Sequence, residues 1–166
     1  ALLNDVTYGD KLREDYYAWT WGDALFVVID PFQYTMNNPY GALAGEGSDD
    51  PISGDQWNWT LGKTQYDWLK AVLETSNAKY KFMFSHNMVG GIPRDISVNP
   101  AGYVRGGAEA AGYFEWGGRN TSGTEVFDTM RPGWGDTIQE LMIKNGVSAY
   151  FHGHDHQYVY ETRDNI

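Results

Sequence analysis

An α/β domain is what this sequence predicts, and three observations predict it. Runs rich in β-branched and aromatic residues at 16–21, 24–29, 80–86 and 147–151 read as strands. Two segments that begin near residues 60 and 136 carry apolar residues at helical spacing. After an opening hairpin the order is strand, helix, strand, long loop, helix, strand, without an internal repeat, which suits a sheet layered against helices. One domain over 1–166 follows from length, since a chain of this size buries about 70% of the surface it exposes when unfolded.

The first strand pair is joined by Gly22-Asp23, a two-residue connection suited to a type II′ hairpin. Its second strand, Ala24-Leu25-Phe26-Val27-Val28-Ile29, is apolar throughout and is expected to be buried on both faces before Asp30-Pro31 ends it. Residues 32–59 are rich in Asn, Gly, Asp and Pro and lack periodicity, so a long surface loop is expected. Thr60 can cap the next helix, whose buried face is Leu61, Gln65, Trp68, Leu69 and Val72, and which stops near Ser76-Asn77. The strand at 80–86 puts Tyr80, Phe82, Phe84 and His86 on one face.

Residues 90–133 contain ten glycines and several aromatics. A short helix near 108–111 and a lid held over the strand ends by Tyr113, Phe114, Trp116 and Trp134 are expected there. Asp136 is expected to start the second helix with Gln139 three residues on, as in a capping box, and Gly146 to stop it. The last strand, at 147–151, leads into Tyr150-Phe151-His152-Gly153-His154-Asp155-His156, where Gly153 is expected to let the backbone turn sharply.

The formal net charge of -10 is opposite to what a nucleic-acid surface needs, and it favours cations. No continuous apolar stretch has the length of a membrane span. With no cysteine, disulfides, iron–sulfur clusters and thiol nucleophiles are excluded, so a metal must be held by histidine, carboxylate, amide or water. Seven Trp and twelve Tyr allow a carbohydrate-stacking surface, although heavy aromatic packing explains them equally.

Three of the four histidines fall within 152–156 at the end of an apolar strand, and the fourth, His86, ends another. Neutral imidazole suits zinc, iron, manganese or nickel, and alternate histidines can aim at neighbouring points, so this is a candidate metal site. A polar strand end or a surface cluster is the alternative.

Phe84-Ser85-His86-Asn87 and Phe151-His152-Gly153-His154-Asp155-His156 resemble the last two metal-binding motifs of the calcineurin-like metallophosphoesterases, the superfamily of the purple acid phosphatases. Gln65-x-x-Trp68-Leu69, Asn145-Gly146-Val147 and the hairpin ending in Ile29-Asp30 are similar to that family in the same order. Asn87 departs from it, since many members have proline there, and the likeness is weak over 32–59 and 90–133, where such proteins differ freely.

The resemblance implies a β-sandwich flanked by helices in αββα layers. It implies a dinuclear centre of two divalent or trivalent ions such as Fe, Zn or Mn, with His86 and His154 on one metal and His156 on the other. Asn87, His152 and Asp155 would lie beside the metals or the substrate. In such a centre a hydroxide held between the metals attacks phosphorus in line, and the substrate is a small or macromolecular phosphoester. A secreted or extracytoplasmic location also fits the family.

The family's earlier motifs, Asp-x-His, Gly-Asp-x-x-Asp and Gly-Asn-His, do not occur here, and no histidine precedes His86. The chain is therefore expected to be the C-terminal half of such a domain, clipped at both ends, with 163–166 a hairpin turn. The family's general-acid histidine would lie in the missing N-terminal half. The isolated chain is expected to be inactive and to need that half or self-association to cover a sheet edge and an apolar face. Two other readings compete: an aromatic-rich carbohydrate- or peptide-binding module with incidental histidines, and a non-catalytic relative that lost its first half.

Overall fold

The computed structural model describes residues 7–8, 11–12, 15–33, 56–86, 108, 110–153 and 158–166. A short ribbon of β1 (Thr7–Tyr8) and β2 (Lys11–Leu12) precedes the main sheet. That sheet holds β3 (Tyr17–Trp21), β4 (Ala24–Val28), β5 (Tyr80–Phe84) and β6 (Ala149–Phe151), in the order β3-β4-β5-β6. β3 and β4 are antiparallel, and Gly22 supplies the turn at φ +57 while Asp23 keeps a negative φ, as a type II′ turn requires. β4, β5 and β6 run parallel.

The helices are α1 (Gly62–Thr75), α2 (Phe114–Gly117), α3 (Phe127–Met130) and α4 (Ile138–Lys144). α1 lies in the crossover from β4 to β5, and α2 to α4 lie in that from β5 to β6. Both crossovers step the same way along the sheet, so right-handed connections place all these helices on one face. Leu25, Val27 and Met83 point to that face and are fully buried against Leu61, Leu69, Leu73, Ile138 and Leu141. Each such aliphatic side chain contributes about 1.5–3 kcal/mol by leaving water.

The opposite face is aromatic and half-exposed. It carries Trp19, Phe26, Phe82 and Phe84, with Phe151 half out in solvent. This corrects the expectation that β4 is buried on both faces: Leu25 and Val27 are covered by helices, but Ala24, Phe26 and Val28 are only half-buried. The expected grouping of Tyr80, Phe82 and Phe84 on one face of β5 holds, although it is Lys81 and Met83 that meet the helices. The sheet and its helices are α/β; the second sheet of an αββα sandwich is not among the described residues.

α1 buries Gln65, Tyr66, Leu69, Val72 and Leu73, with Trp68 half-buried and edge-on to Tyr16 at 4.8 Å. The Thr60 hydroxyl accepts from the Gly62 N–H at 2.9 Å, one residue outside the position expected, because Leu61 is the flanking residue of the helix. In α4 the capping box is Thr137 with Glu140 rather than Asp136 with Gln139: Glu140 N–H donates to Thr137 Oγ1 and Thr137 N–H donates to Glu140 Oε2. Ile138, Leu141 and Met142 must face the core and fix this register, while the Asp136 carboxylate is taken by Lys144 and Lys70. Gly146 at φ +65 stops α4 as expected, with Val147 N–H returning to the Met142 carbonyl at 3.0 Å.

Two loop expectations change. Residues 34–55 lie outside the described residues, but Gln56–Asn58 is a 3-10 turn whose Trp57 is in the core, so the surface loop does not extend to 59. Residues 87–107 and 109 are likewise outside. From Ala110–Gly112, a 3-10 turn at the place of the expected short helix, the chain continues into α2 and α3 with Phe114, Trp116 and Phe127 buried. This part of the glycine-rich segment is core and not a lid. Its centre is a buried ion pair between Glu115 and Arg131, whose guanidinium lies 5.2 Å from the Trp57 ring and donates to the Trp57 and Met130 carbonyls. Glu115 also accepts from the Leu61 N–H at 3.1 Å, so the pair ties the entrance of α1 to α2 and α3.

Arg163 and Ile166 exchange backbone hydrogen bonds of 3.1 and 2.9 Å around Asp164 and Asn165 at φ 54 and 70, the type I′ turn that suits a hairpin. Among the described residues no helix is long and apolar enough to cross a membrane.

Candidate metal centre

Because β4, β5 and β6 are parallel, their C-terminal ends share one edge of the sheet, where α/β folds place their sites. Asp30, His86 and His152 follow those three ends. β5 and β6 are in register from Phe82↔Ala149 to Phe84↔Phe151. The pairing continues beyond the strands: Ser85 N–H donates to the Phe151 carbonyl at 3.1 Å and Gly153 N–H donates to the His86 carbonyl at 3.0 Å. Residues 85–86 and 152–153 therefore lie side by side just beyond the strands, although 66 positions separate His86 from His152.

His86 and His152 are both exposed. His152 stands on the helix side of β6, its ring 6.0 Å from that of Tyr150. Gly153 does not use a positive φ, and a side chain built there would meet only the His86 carbonyl, at 3.7 Å, among the described residues; the turn expected at Gly153 runs into 154–157, outside those residues. His154, His156, Asn87 and Asp155 lie outside the described residues. Among the described residues no group of three or more His, Asp or Glu is arranged to hold a metal. Of the expected ligands, His86 alone lies among the described residues: it is exposed at the sheet edge, and its carbonyl accepts from the N–H of Gly153, the residue before His154; imidazole is a donor suited to zinc.

Beneath these ends lies a polar pair that the sequence did not disclose. The Ser85 and Tyr150 hydroxyls hydrogen-bond across β5 and β6. The edge of Trp116 meets the Tyr150 ring at 5.3 Å, and burial pushes the Tyr150 phenol above the ordinary tyrosine range, so it stays protonated. The end of β4 is fixed differently. The fully buried Gln65 amide accepts from the Asp30 N–H at 2.9 Å and donates to the Asp30 carbonyl at 2.8 Å, while the Asp30 carboxylate accepts from the Phe32 N–H at 2.9 Å. A polar residue on the buried stripe of α1 was the available signal for Gln65. At the opposite end of β5, the buried Lys81 amine donates to the Leu73 carbonyl at 3.0 Å and the Asn145 carbonyl at 2.8 Å, joining the C-termini of α1 and α4. Burial holds that amine below the usual lysine value.

On the other face of the sheet the aromatic rings stack on one another. Trp19 and Phe26 lie 5.0 Å apart at 9°, Phe26 and Phe84 6.3 Å apart at 20°, and Phe84 and Phe151 5.1 Å apart at 14°. Phe26 and Phe84 thus each pack against neighbouring rings on this face.

Compared with known proteins, the chain matches no family model, no curated protein and no solved structure.

Proposed function

We propose that this chain serves a metal-dependent phosphoester hydrolase, to which it contributes His86, His154 and His156 as imidazole ligands of a dinuclear centre. The observation that supports the reading is the backbone bond from Gly153 to His86, which sets His86 beside the residue that precedes His154, at the C-terminal edge of a parallel sheet. Bound metal ions would neutralise charge on phosphoryl oxygens and provide a nucleophile from water at neutral pH. The chain's part is to fix the imidazoles at that edge. His152, turned toward Tyr150, supports them from outside the ligand set. Three imidazoles do not hold two metals 3.5–4 Å apart without a bridging carboxylate, so the chain by itself binds one ion and does not turn over an aryl phosphate.

Phosphate binding tests the proposal. In a chain of net charge -10 an oxyanion needs the metal to hold it. Calorimetry with inorganic phosphate is expected to show binding by the Zn²⁺-treated chain and none by the metal-free chain. His154→Ala or His156→Ala should lower the metal content found by elemental analysis, and His152→Ala should spare it. Metal binding without phosphate affinity would remove the phosphoester part of the proposal, and absence of metal binding would remove all of it. Turnover by this chain would mean that Asp30, Asp55 or Asp155 completes the site.

A further inference from the structure

We infer that Ser85 and Tyr150 are a positioning pair for the candidate metal centre, setting the separation of the two segments that carry its histidines. The inference rests on the proposed metal site. Tyr150 pairs in register with Met83, yet its hydroxyl reaches past it to Ser85, the residue immediately before His86. On β6, Tyr150 lies two residues before His152 and four before His154. The hydroxyl pair and the two backbone bonds beyond it, Ser85 to Phe151 and Gly153 to His86, tie the strand ends together where the ordinary ladder stops.

Packing makes this tie stiff. Trp116 is buried in the core and meets the Tyr150 ring edge-on, so the tyrosine has little freedom to swing away. α2 therefore braces the ends of β5 and β6, next to His86 and His152, through Trp116, Tyr150 and Ser85 in sequence. Groups that orient metal ligands without touching the metal commonly govern affinity by about 10–100-fold.

The test is Zn²⁺ affinity, measured with a competing chromophoric chelator, for the chain and for Ser85→Ala, Tyr150→Phe, the double variant and Ser85→Thr, each with its thermal midpoint. Tyr150→Phe keeps the ring against Trp116, so the fold is retained. Each single deletion of a hydroxyl is expected to weaken Zn²⁺ binding by about tenfold. The double variant should lose no more than the weaker-binding single variant, because the two hydroxyls act through one bond. Ser85→Thr keeps a hydroxyl and should restore affinity. Lowered thermal midpoints with unchanged affinity would make the pair merely structural and overturn the inference while leaving the metal site standing. Additive losses, or no rescue by threonine, would also overturn it. A parent chain that binds no Zn²⁺ would overturn both the inference and the reading beneath it.

Discussion

Arg131→Met is expected to be among the most damaging single substitutions in the described core. It leaves the Glu115 carboxylate, 4% exposed, without its cation, and breaking a buried pair from one side costs about 3–5 kcal/mol. The guanidinium's contact with the Trp57 ring and its bonds to the Trp57 and Met130 carbonyls are lost as well. Against a typical total stability of about 5–15 kcal/mol this is a large share. With a urea slope of about 1–3 kcal/mol per molar, the unfolding midpoint should fall by about 1 M or more, read by tryptophan fluorescence. The loss should depend on pH. Burial already raises the Glu115 carboxyl, and Arg131 is the strongest influence holding it down. Without Arg131 the folded value rises further above the unfolded value of about 4.3. A raised folded value means that the stability linked to this group is present below the unfolded value and is lost as pH rises through the folded value. The variant should therefore lose most at about pH 8 and least near about pH 4. Arg131→Met with Glu115→Leu should recover most of the loss, since no buried charge remains. A loss below about 1 kcal/mol at the higher pH, or one that does not change with pH, would refute this account of the pair.

Two glycines, one after α4 and one after β6, should behave differently. Gly146→Ala forces a side chain into φ +65 and should cost about 1 kcal/mol, whereas Gly153→Ala, with no positive φ, should cost less than about 0.5 kcal/mol; chemical denaturation of both distinguishes them. Lys81→Met would leave the Leu73 and Asn145 carbonyls without their buried donor and should cost about 2 kcal/mol or more, seen as a fall in thermal midpoint. An unchanged midpoint would mean that both carbonyls find other donors.

Local chemistry made part of this fold legible. Gly22 and Gly146 act at the turns that their neighbours predicted, and the apolar spacing of α1 named its buried side apart from Tyr66 and Leu73. The capping box of α4 was displaced by one residue because Asp136 and Thr137 are both good caps, and only the burial of Ile138 decides between them. Nonlocal pairs left no trace in periodicity. Glu115 lies in α2 and Arg131, 16 positions on, follows the end of α3; both helices have four residues, too few to show a period, and α2 begins with Phe114 at φ 51, a conformation that no propensity anticipates. Ser85 and Tyr150 are 65 positions apart and meet only because β5 and β6 pair in parallel. At the candidate site, motif spacing identified the two strand ends, and the sheet register brings those ends together. The convergence of the imidazoles of His154 and His156 on His86 stands as a proposal.

In the proposed centre three particular imidazoles, and not a fourth, bind metal at this sheet edge. Long-range ¹H–¹⁵N NMR spectra of the four histidine side chains, recorded before and after addition of Zn²⁺, test it most directly. Metal binding fixes the tautomer of an imidazole and moves its ring nitrogen resonances. The account predicts that His86, His154 and His156 shift together as Zn²⁺ is added, while His152 keeps its original nitrogen shifts. A spectrum in which His152 shifts with His154 while His86 stays unchanged would contradict it, as would four unchanged histidines.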